Sequence, residues 1–468
     1  MNLKELTISS IQEGLFTKEF SAVELVKETL REIERRDNIL HAFLETTPEL
    51  ALSLAKEADE KVRRGEKSPL LGVPCSVKDA ILVEGVSCTA GSRMLENYIA
   101  PYDATVIEKL KEAGSVIVGK TNMDEFGMGA STENSAFGPT KNPADIKRVP
   151  GGSSGGSAAS VASGESVIAL GEDTGGSIRQ PASFCGVVGL KPTYGTVSRY
   201  GVIALASSLD QVGPFARNVQ DAEILFKAIR GKDSRDATSV EYPVQKNGGK
   251  RNLTVGVPKE YFSEGLDPAV EKTVREAIEK LKAQGVSVVE VELPNTKYAL
   301  AAYYVINTSE ASSNLARYDG VRYGAHKEAE NLLEEYLVSR GDSLGAEVKR
   351  RIMLGTFALS AGYYEAYYLK AQKIRTLLQE DFAKAFEKAD VLLGPTAPTL
   401  PFLLGEKTQD PLAMYLVDVY TVPANLVGLC AISVPAGSVG NLPVGLQIIA
   451  PAFQEHRLFS TGKMLENM

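Results

Sequence analysis

The chain has 468 residues and 44% hydrophobic side chains, a composition typical of a globular protein with a substantial buried core. Its formal net charge is −8, and charges of both signs are interspersed, which argues against a dedicated nucleic-acid-binding surface. The N-terminus lacks the apolar run of a signal peptide, and no stretch approaches the roughly 18 apolar residues of a membrane span. We therefore expect a soluble, cytoplasmic protein.

The four cysteines are spread along the chain without the CxxC spacing of a zinc site. They are Cys75, Cys88, Cys185 and Cys430. Their number and separation do not indicate a disulfide framework either. We expect four buried thiols that act as small hydrophobic side chains, and no metal site.

The first 65 residues have a helical pattern. Ser21 and Glu24 have the spacing of a capping box, and apolar residues recur on one face after them. A second helix is expected from Glu49 to Arg64. From residue 70 the pattern changes to strands at 70–79 and 114–120, separated by a helix, an order typical of α/β proteins.

The second half of the chain repeats this order and then changes. Strand patterns flank a helix at 268–284, and residues 297–388 are long and helical. The tail returns to the short strands VLLGP, CAISVPAG and PVGLQIIAP. A charged stretch of few apolar residues at 230–252 is expected to form a surface loop or a weak domain boundary.

Residues 150–181 contain two clusters of glycine and serine, GGSSGGS at 151–157 and TGGS at 174–177. Glycine lets another backbone or a ligand approach closely, and serine can act as a nucleophile. A flexible linker would be polar throughout. The apolar residues at 167–170 argue against a linker, so we expect a folded surface shaped around a substrate.

The first cluster matches the G-x-S-x-G elbow of α/β-hydrolases over residues 151–155, a motif that follows a strand and needs a histidine base. The preceding GPTKNPADIKRVP is rich in proline and polar residues and does not predict a strand. The only histidines are His41, His326 and His456, and each is expected on the solvated surface. A Ser-His-Asp triad that uses His456 remains an alternative.

A lysine can replace histidine as the base if it is neutral, which requires a pKa well below about 10.4. Lys78 meets this condition because it ends an apolar strand segment, where burial disfavours the charged form. The alternative is a surface lysine paired with Asp79.

The second cluster can supply an oxyanion site. Backbone N–H groups from Thr174 through Ser177, turned by Gly175 and Gly176, have the sequence of an anion-binding nest. Ser177 lies where SIRQP could begin a helix, whose positive end favours negative charge. A phosphate could use the same nest, but no GK[ST] follows, so a nucleotide P-loop is not indicated.

Three ordered motifs resemble the amidase signature family: Lys78 in SVKD, Ser153 in PGGSSGGSAAS, and Ser177 in DTGGSIRQPASFCG. The resemblance implies an α/β amidase-signature fold, with a large mixed sheet flanked by helices on both faces. It implies a single domain over 1–468, with an N-terminal helical segment at 1–65 and a helical insertion at about 297–388.

The resemblance also implies a division of roles. Ser177 would be the nucleophile, Ser153 the bridging serine that includes a cis peptide bond, and Lys78 the base. The backbone N–H groups of residues 174–177 would hold the oxyanion.

Longer stretches are similar to family members that serve as the glutaminase subunit of a tRNA-dependent amidotransferase. They are KTNMDEFGMGASTENSAFGPTKNP, KPTYGTVSRYGVIALASSLDQVGP, EASSNLARYDGVRYG and EVKRRIMLGTFALSAGYY. This implies that L-glutamine is hydrolysed and that ammonia passes to partner subunits, B and C, which bind the misacylated tRNA. ATP and Mg would be used by a partner, with no cofactor in this chain. The alternatives are a free-standing amidase on small amides and a catalytically silent scaffold.

For glutamine, the resemblance implies that Arg351 pairs with the α-carboxylate and Asp418 with the α-amino group. Tyr303 and Gly129 complete the implied substrate site. From the residues alone, Arg351 could be a surface helix arginine, since two cations adjoin it. Asp418, between two valines, is costly to bury without a cationic partner.

The sequence departs from the family pattern in two places. Ala80 stands where the family usually has asparagine after SVKD, so a hydrogen bond near the base is expected to be missing. The sequence also ends at GKMLENM, before the family's C-terminal helix, which puts packing or partner contact there in question.

Overall fold

The computed structural model describes residues 2–243 and 253–467. Part of the charged stretch at 230–252 therefore lies outside the described residues. The strands are β1 (Phe43–Thr46), β2 (Pro74–Lys78), β3 (Val116–Thr121), β4 (Ile168–Glu172), β5 (Val188–Lys191), β6 (Val212–Ala216), β7 (Thr254–Pro258), β8 (Ser287–Val291), β9 (Val391–Pro395), β10 (Cys430–Val439) and β11 (Leu442–Ala450).

The helices occur in three groups along the chain. Those before β7 are α1 (Ile8–Thr17), α2 (Ala22–Leu40), α3 (Pro48–Arg63), α4 (Thr105–Glu112), α5 (Gly155–Ser163), α6 (Arg179–Cys185) and α7 (Val219–Ile229). Those up to β9 are α8 (Pro268–Ala283), α9 (Ala299–Asn314), α10 (Leu332–Ser343), α11 (Ala346–Leu359) and α12 (Lys370–Lys388). The last are α13 (Pro411–Tyr415), α14 (Val422–Val427) and α15 (Glu455–Glu466).

The described strands form one mixed sheet of 11 strands in the order β1-β3-β2-β4-β6-β5-β10-β11-β9-β7-β8. Strand β2 is parallel to both β3 and β4, and β7 is parallel to β8 and β9. The strands from β4 through β6, β5, β10 and β11 to β9 pair antiparallel. The expected mixed α/β sheet is confirmed.

Helices cover both faces of this sheet, as the side-chain directions on β10 and β11 show. Gly445 faces α6, because a Cβ there would lie 2.5 Å from the Ser183 side chain. Its neighbour Leu446 points the other way and pairs across the ladder with Val434, which lies next to Gly462 of α15. Successive residues of one strand therefore contact helices on opposite faces, as expected.

The region at 297–388 forms α9 to α12, with a 3-10 turn at Leu315–Arg317 and then non-helical backbone before α10, and a π-helical turn at Glu365–Leu369. The buried faces of α9, α11 and α12 share an apolar cluster with α14 and with the loop after β3, around Met123 and Phe126. These helices thus pack against the loop that follows β3.

Expectations for the N-terminal region hold with one correction. The capping box at Ser21 and Glu24 is present, and α3 spans the expected second helix within one residue at each end. Residues 43–46 fall within the segment expected to be helical but form the edge strand β1. Four residues are too few to show an alternating pattern, and their pairing with β3 decides the structure. The single-domain organisation stays a prediction.

Candidate active site

The candidate site lies at the carboxyl ends of two neighbouring parallel strands, β2 and β4. Lys78 is the last residue of β2, and Glu172 ends β4 immediately before the TGGS turn. The strands are in register, with Val77 opposite Leu170. Carboxyl ends of parallel strands meet at one edge of a sheet, which is why residues far apart in the sequence converge there.

Lys78 is fully buried, and its ammonium group contacts the first serine cluster directly. Nζ donates to Ser153 Oγ at 2.8 Å and to the Glu172 carbonyl at 3.3 Å. Burial lowers the pKa of Lys78, and the nearby carboxylate of Glu172 acts in the opposite direction. The alternative of a surface lysine paired with Asp79 is wrong, because Asp79 pairs with Lys120 at 2.8 Å.

Ser153 follows a cis peptide bond between Gly152 and Ser153, the feature that the family resemblance implied. The turn is held from two sides. Gly152 N–H donates to Gln180 Oε1 at 2.9 Å, and Asp124 N–H donates to the Ser153 carbonyl at 3.2 Å. Gly129 lies beside this turn, since a Cβ on it would be 2.3 Å from the Asp124 carboxyl carbon.

The TGGS turn is built on a buried ion pair between Asp173 and Arg179. The guanidinium donates to both carboxylate oxygens at 3.0 Å, and Gly176 N–H donates to Asp173 Oδ1 at 2.9 Å. Burial opposes ionisation of Asp173, but Arg179 outweighs it and lowers the pKa of Asp173 to about 2. Thr174 is fixed by a 2.8 Å hydrogen bond to Asp210.

These contacts refine the expected oxyanion site. The N–H of Gly176 is occupied by Asp173, so it does not point freely into the site. Within residues 2–243 and 253–467, the N–H groups of Thr174, Gly175 and Ser177 have no acceptor. Three of the four expected donors are therefore available to a developing negative charge.

The two serine turns are in direct contact, although their hydroxyl groups are not joined. Ser154 N–H donates to the Ser177 carbonyl at 3.2 Å. Ser177 Oγ makes no hydrogen bond within the described part of the chain, and the residue is 7% exposed. The nucleophile candidate is thus unengaged, next to a serine that already contacts the lysine.

Residues implied in substrate binding surround the same turn. A Cβ on Gly175 would lie 2.4 Å from the Tyr303 hydroxyl, and one on Gly176 would lie 3.1 Å from Asp418 Oδ1. Only glycine permits these approaches, and Gly176 also has φ +140°. Tyr303 and Asp418 thus both lie against the proposed nucleophile turn.

Arg351 is not a surface residue; it is 3% exposed. Its guanidinium lies 5.2 Å and 5.4 Å from the ring centroids of Tyr304 and Tyr415 and donates to Glu347 at 2.8 Å. A second nitrogen lies 3.4 Å from Asn307 Oδ1. The arginine is therefore held in a fixed orientation.

Asp418 is buried without a hydrogen-bond partner for Oδ1 among the described residues. Burial raises the pKa of Asp418 well above its usual range, Asp173 adds to the increase, and Arg351 opposes it. A buried carboxyl oxygen with no partner is costly, so this position suits a bound cationic or hydrogen-bond-donating group.

The histidine alternative is not supported by the positions of the three histidines. His326 and His456 are exposed as expected, whereas His41 is half-buried and lies 3.4 Å from the Pro139 carbonyl. Residues 143–154, all described, form turns and isolated bridges rather than the strand that a nucleophile elbow requires.

Sequence reasoning missed the charged residues that shape the site: Asp124, Glu172, Asp173, Arg179 and Asp210. A signal was present for two of them. Asp173 and Arg179 flank the TGGS turn with no charged residue between them, and such a pair predicts a buried ion pair. Asp124 and Asp210 come from distant loops, which the local pattern cannot reveal.

A family model described as Amidase matches residues 24–459. The chain belongs to the amidase family. Its relatives include the glutamyl-tRNA(Gln) amidotransferase A subunit of Carboxydothermus hydrogenoformans, 57% identical over all of this chain and 98% of the relative. The corresponding protein of Geobacter sp. (strain M21) is 54% identical, with the same coverage.

Solved amidase-family structures share the fold. The crystal structure of the glutamyl-tRNA(Gln) amidotransferase A subunit from Thermotoga maritima has a TM-score of 0.80 and 43% identity, covering 98% of this chain and 94% of that chain. A bacterial aryl acylamidase of the family has a TM-score of 0.85 at 25% identity, covering 99% and 96%. The fold is thus common to several amidases, while the high identity is with the amidotransferase protein.

Among the described residues, no helix has both the length and the apolar character that a membrane span requires.

Proposed function

We propose that this chain is the glutaminase subunit of a glutamyl-tRNA(Gln) amidotransferase. It hydrolyses the side-chain amide of L-glutamine to glutamate and ammonia, and the ammonia converts Glu-tRNA(Gln) to Gln-tRNA(Gln) in the complex. The observation that carries the proposal is the 2.8 Å contact between Lys78 and Ser153 beside an unengaged Ser177. Full-length relatives of this name at 53–57% identity support it.

The first half of the reaction forms an ester. Ser177 Oγ attacks the amide carbon, its proton moves to Ser153, and the Ser153 proton moves to neutral Lys78. The carbonyl oxygen becomes negative, where the N–H groups of Gly175 and Ser177 can donate to it. The amide nitrogen then takes a proton back through Ser153 and leaves as ammonia.

The second half restores the enzyme. Water attacks the glutamyl ester on Ser177 and gives one proton to the same serine and lysine path. The carbon–oxygen bond to Ser177 breaks, the serine recovers its proton, and glutamate leaves. No cofactor enters either half, and no residue of this chain is assigned to ATP or Mg, which we place in a partner subunit.

Glutamine recognition follows from the charges around the turn. The buried guanidinium of Arg351 suits the α-carboxylate, and the unpartnered oxygen of Asp418 suits the α-ammonium group. Asp418 lies against Gly176, and Arg351 is connected through Asn307 to Tyr303, which lies against Gly175. A glutamine held by both groups would therefore bind beside the turn that carries Ser177. A small amide that has no α-carboxylate and no α-ammonium group would make neither contact.

The partners we propose are the B and C subunits, in a cytoplasmic heterotrimer in which misacylated tRNA binds mainly to a partner. Exposed apolar side chains on α10 and α11 support a docking surface. Leu333 is 68% exposed, Met353 72% and Phe357 46%. A partner that covers these side chains would remove their apolar surface from water, which favours association.

The test is Ser177→Ala in the assembled complex. Glutamine-dependent amidation should be lost, because the nucleophile is absent, whereas amidation supplied with ammonium salt should persist. Ser160→Ala is the matched control, since Ser160 is a buried serine of α5 that contacts Ser76 instead. Loss of the ammonium-supported reaction as well would contradict the division of labour between subunits.

The second candidate is a free-standing amidase, favoured by the structural likeness to the aryl acylamidase. Purified chain without partners, assayed on glutamine and on simple aryl and alkyl amides, separates the two. Faster turnover of the simple amides would replace the first proposal. Preference for glutamine, with a gain on addition of partner subunits, is the outcome we expect.

A further inference from the structure

Glu172, the last residue of β4, has no role in the reaction as described, yet it is the carboxylate beside the base. Its Oε2 lies 3.8 Å from Lys78 Nζ, and both side chains are almost completely buried. Its Oε1 has no hydrogen-bond partner within residues 2–243 and 253–467. A buried carboxyl group with a free oxygen next to a buried amine is an uncommon arrangement that calls for a function.

The same side chain forms the floor of a cavity of about 180 Å³. Ser207 and Arg235 at its rim are exposed, while Glu172 and Asp210 at its floor are buried. A water molecule needs only about 10–15 Å³ of such space, so the cavity can hold several. A proton can therefore pass between Glu172 and solvent through this cavity rather than through the substrate site.

The charged groups around Glu172 come from one strand end and several loops. They are Lys78 at the end of β2, Asp124 after β3, Asp173 after β4, Arg199 after β5, Asp210 before β6, and Arg235 and Asp236 after α7. Asp210 is already satisfied, because it accepts from Thr174 and from the N–H groups of Leu205 and Ala206. Glu172 is thus the carboxyl group of this set that faces Lys78 with an open hydrogen-bonding position.

We infer that Glu172 is a positioning residue that sets the protonation state of Lys78, the two side chains sharing one proton in the resting enzyme. The inference rests on the proposed function, in which neutral Lys78 is the base. Burial and then Asp210 raise the pKa of Glu172 to about 8, and burial lowers the pKa of Lys78. Both shifts favour the neutral form of each group and therefore a neutral amine at Lys78.

The pair holds one proton before the attack on the amide and one after ammonia leaves, and it holds two in between. In the resting enzyme the proton lies either on Glu172, with Lys78 a free amine, or on Lys78, with Glu172 ionised, and the first form is the reactive one. During attack the amine takes the Ser153 proton and becomes an ammonium ion, and no bond to Glu172 changes. When ammonia leaves, Lys78 returns that proton through Ser153, so the pair again holds one proton.

The pH dependence has a definite sign. In the second form the negative charge of Glu172 stabilises the Lys78 ammonium ion and raises the pKa of Lys78. Glu172→Gln removes that form, and with it the second group from which the doubly protonated pair can lose a proton, so the neutral base then forms only by deprotonation of Lys78 itself. The acidic midpoint of kcat/KM for glutamine should therefore move upward, by about 0.3 pH unit if the two one-proton forms are equally populated and by more if the second form dominates.

The experiment measures glutamine hydrolysis by the assembled complex over a range of about pH 5 to 10, which lies between the reference pKa values of the two groups, about 4.3 for Glu and about 10.4 for Lys. The variants are the wild type, Glu172→Gln, Glu172→Asp and Glu165→Gln. Glu165 is the matched control: it is also buried, its pKa is also raised to about 8 by burial, and its Oε1 also lacks a partner among the described residues. It contacts Ser163 rather than Lys78.

We expect a higher midpoint for Glu172→Gln, an intermediate one for Glu172→Asp, which keeps the charge on a shorter side chain, and an unchanged one for Glu165→Gln. An unchanged or lower midpoint in Glu172→Gln, or an equal shift in Glu165→Gln, would overturn the inference. If Glu172→Gln does not fold by circular dichroism, the Asp variant decides alone. A wild type that does not hydrolyse glutamine would instead refute the proposed function.

Discussion

Two buried lysines lie on adjacent parallel strands and behave in opposite ways. Lys78 ends β2 and contacts a serine hydroxyl, whereas Lys120 on β3 makes a 2.8 Å ion pair with Asp79. Burial lowers the pKa of Lys78. Burial also acts to lower the pKa of Lys120, but the Asp79 carboxylate outweighs it and raises that pKa.

The difference teaches that burial alone does not produce a neutral lysine. Both side chains are 0% exposed, so the partner decides the charge. A carboxylate within hydrogen-bonding distance fixes the ammonium form and yields a structural residue. A neutral hydroxyl, with the nearest carboxyl oxygen at 3.8 Å, leaves the amine free to exchange its proton.

The largest effect expected from this comparison is on catalysis at Lys78. Lys78→Met should reduce glutamine hydrolysis by about 10³-fold or more, because general-base catalysis typically contributes about 10²–10⁴-fold. Its free energy of unfolding should stay unchanged or increase, since methionine fills the space without burying an amine. Steady-state assays and urea denaturation of the same preparation check both parts; retained activity would contradict the role.

The matched change at Lys120 should act on stability. Lys120→Met leaves the Asp79 carboxylate buried without its cation, which typically costs about 3–5 kcal/mol. Urea denaturation measures this loss, with Lys78→Met as the control of equal size and burial. A smaller loss than in the control would show that the ion pair does not hold these two strands.

Removing the charges of both Lys120 and Asp79 should restore most of the free energy of unfolding that Lys120→Met loses. The double variant Lys120→Met, Asp79→Asn replaces the pair by uncharged groups, and such replacements are often close to neutral. The asparagine oxygen can still accept from Thr89 N–H, now 2.8 Å from Asp79 Oδ2. A double-mutant cycle measures the coupling, and additive losses would argue against a specific pair.

The smallest effect is the pH dependence of stability. In the folded protein the pKa of Lys78 lies below its ordinary value of 10.5. Between the folded pKa and pH 10.5 the unfolded chain binds more protons than the folded chain, so the free energy of unfolding rises with pH. The pKa of Lys120 is raised in the folded protein, so its contribution to stability is fully present below pH 10.5 and is lost as the pH rises through the folded pKa. Unfolding curves from about pH 7 to 10 should show a shallower rise for Lys78→Met than for the wild type.

Much of this architecture was predictable because local patterns and tertiary packing agree. Periodicity predicted α3 and α8 closely, and the apolar run before Lys78 predicted a buried strand that ends at a lysine. The edge strand β1 was not predictable, since its four residues take their structure from pairing with β3.

The site was predictable where its residues stand in a recognisable motif and unpredictable where a contact depends on backbone geometry. Ser153, Ser177 and Lys78 came from three motifs, and the structure brings them to one sheet edge. Their roles stay predictions. The engagement of Gly176 N–H by Asp173 could not be inferred, because a carboxylate this close in sequence can face either into or out of a turn.

The ion pair beneath the TGGS turn has a consequence for how the enzyme fails in acid. The pKa of Asp173 is about 2, so this carboxyl group stays ionised at pH values far below those at which Lys78 and Glu172 exchange protons. The turn that carries Ser177 therefore keeps its ion pair at pH values at which Lys78 is protonated and cannot act as a base. Mild acid should act as a reversible off-switch, with full turnover restored on neutralisation and no refolding required.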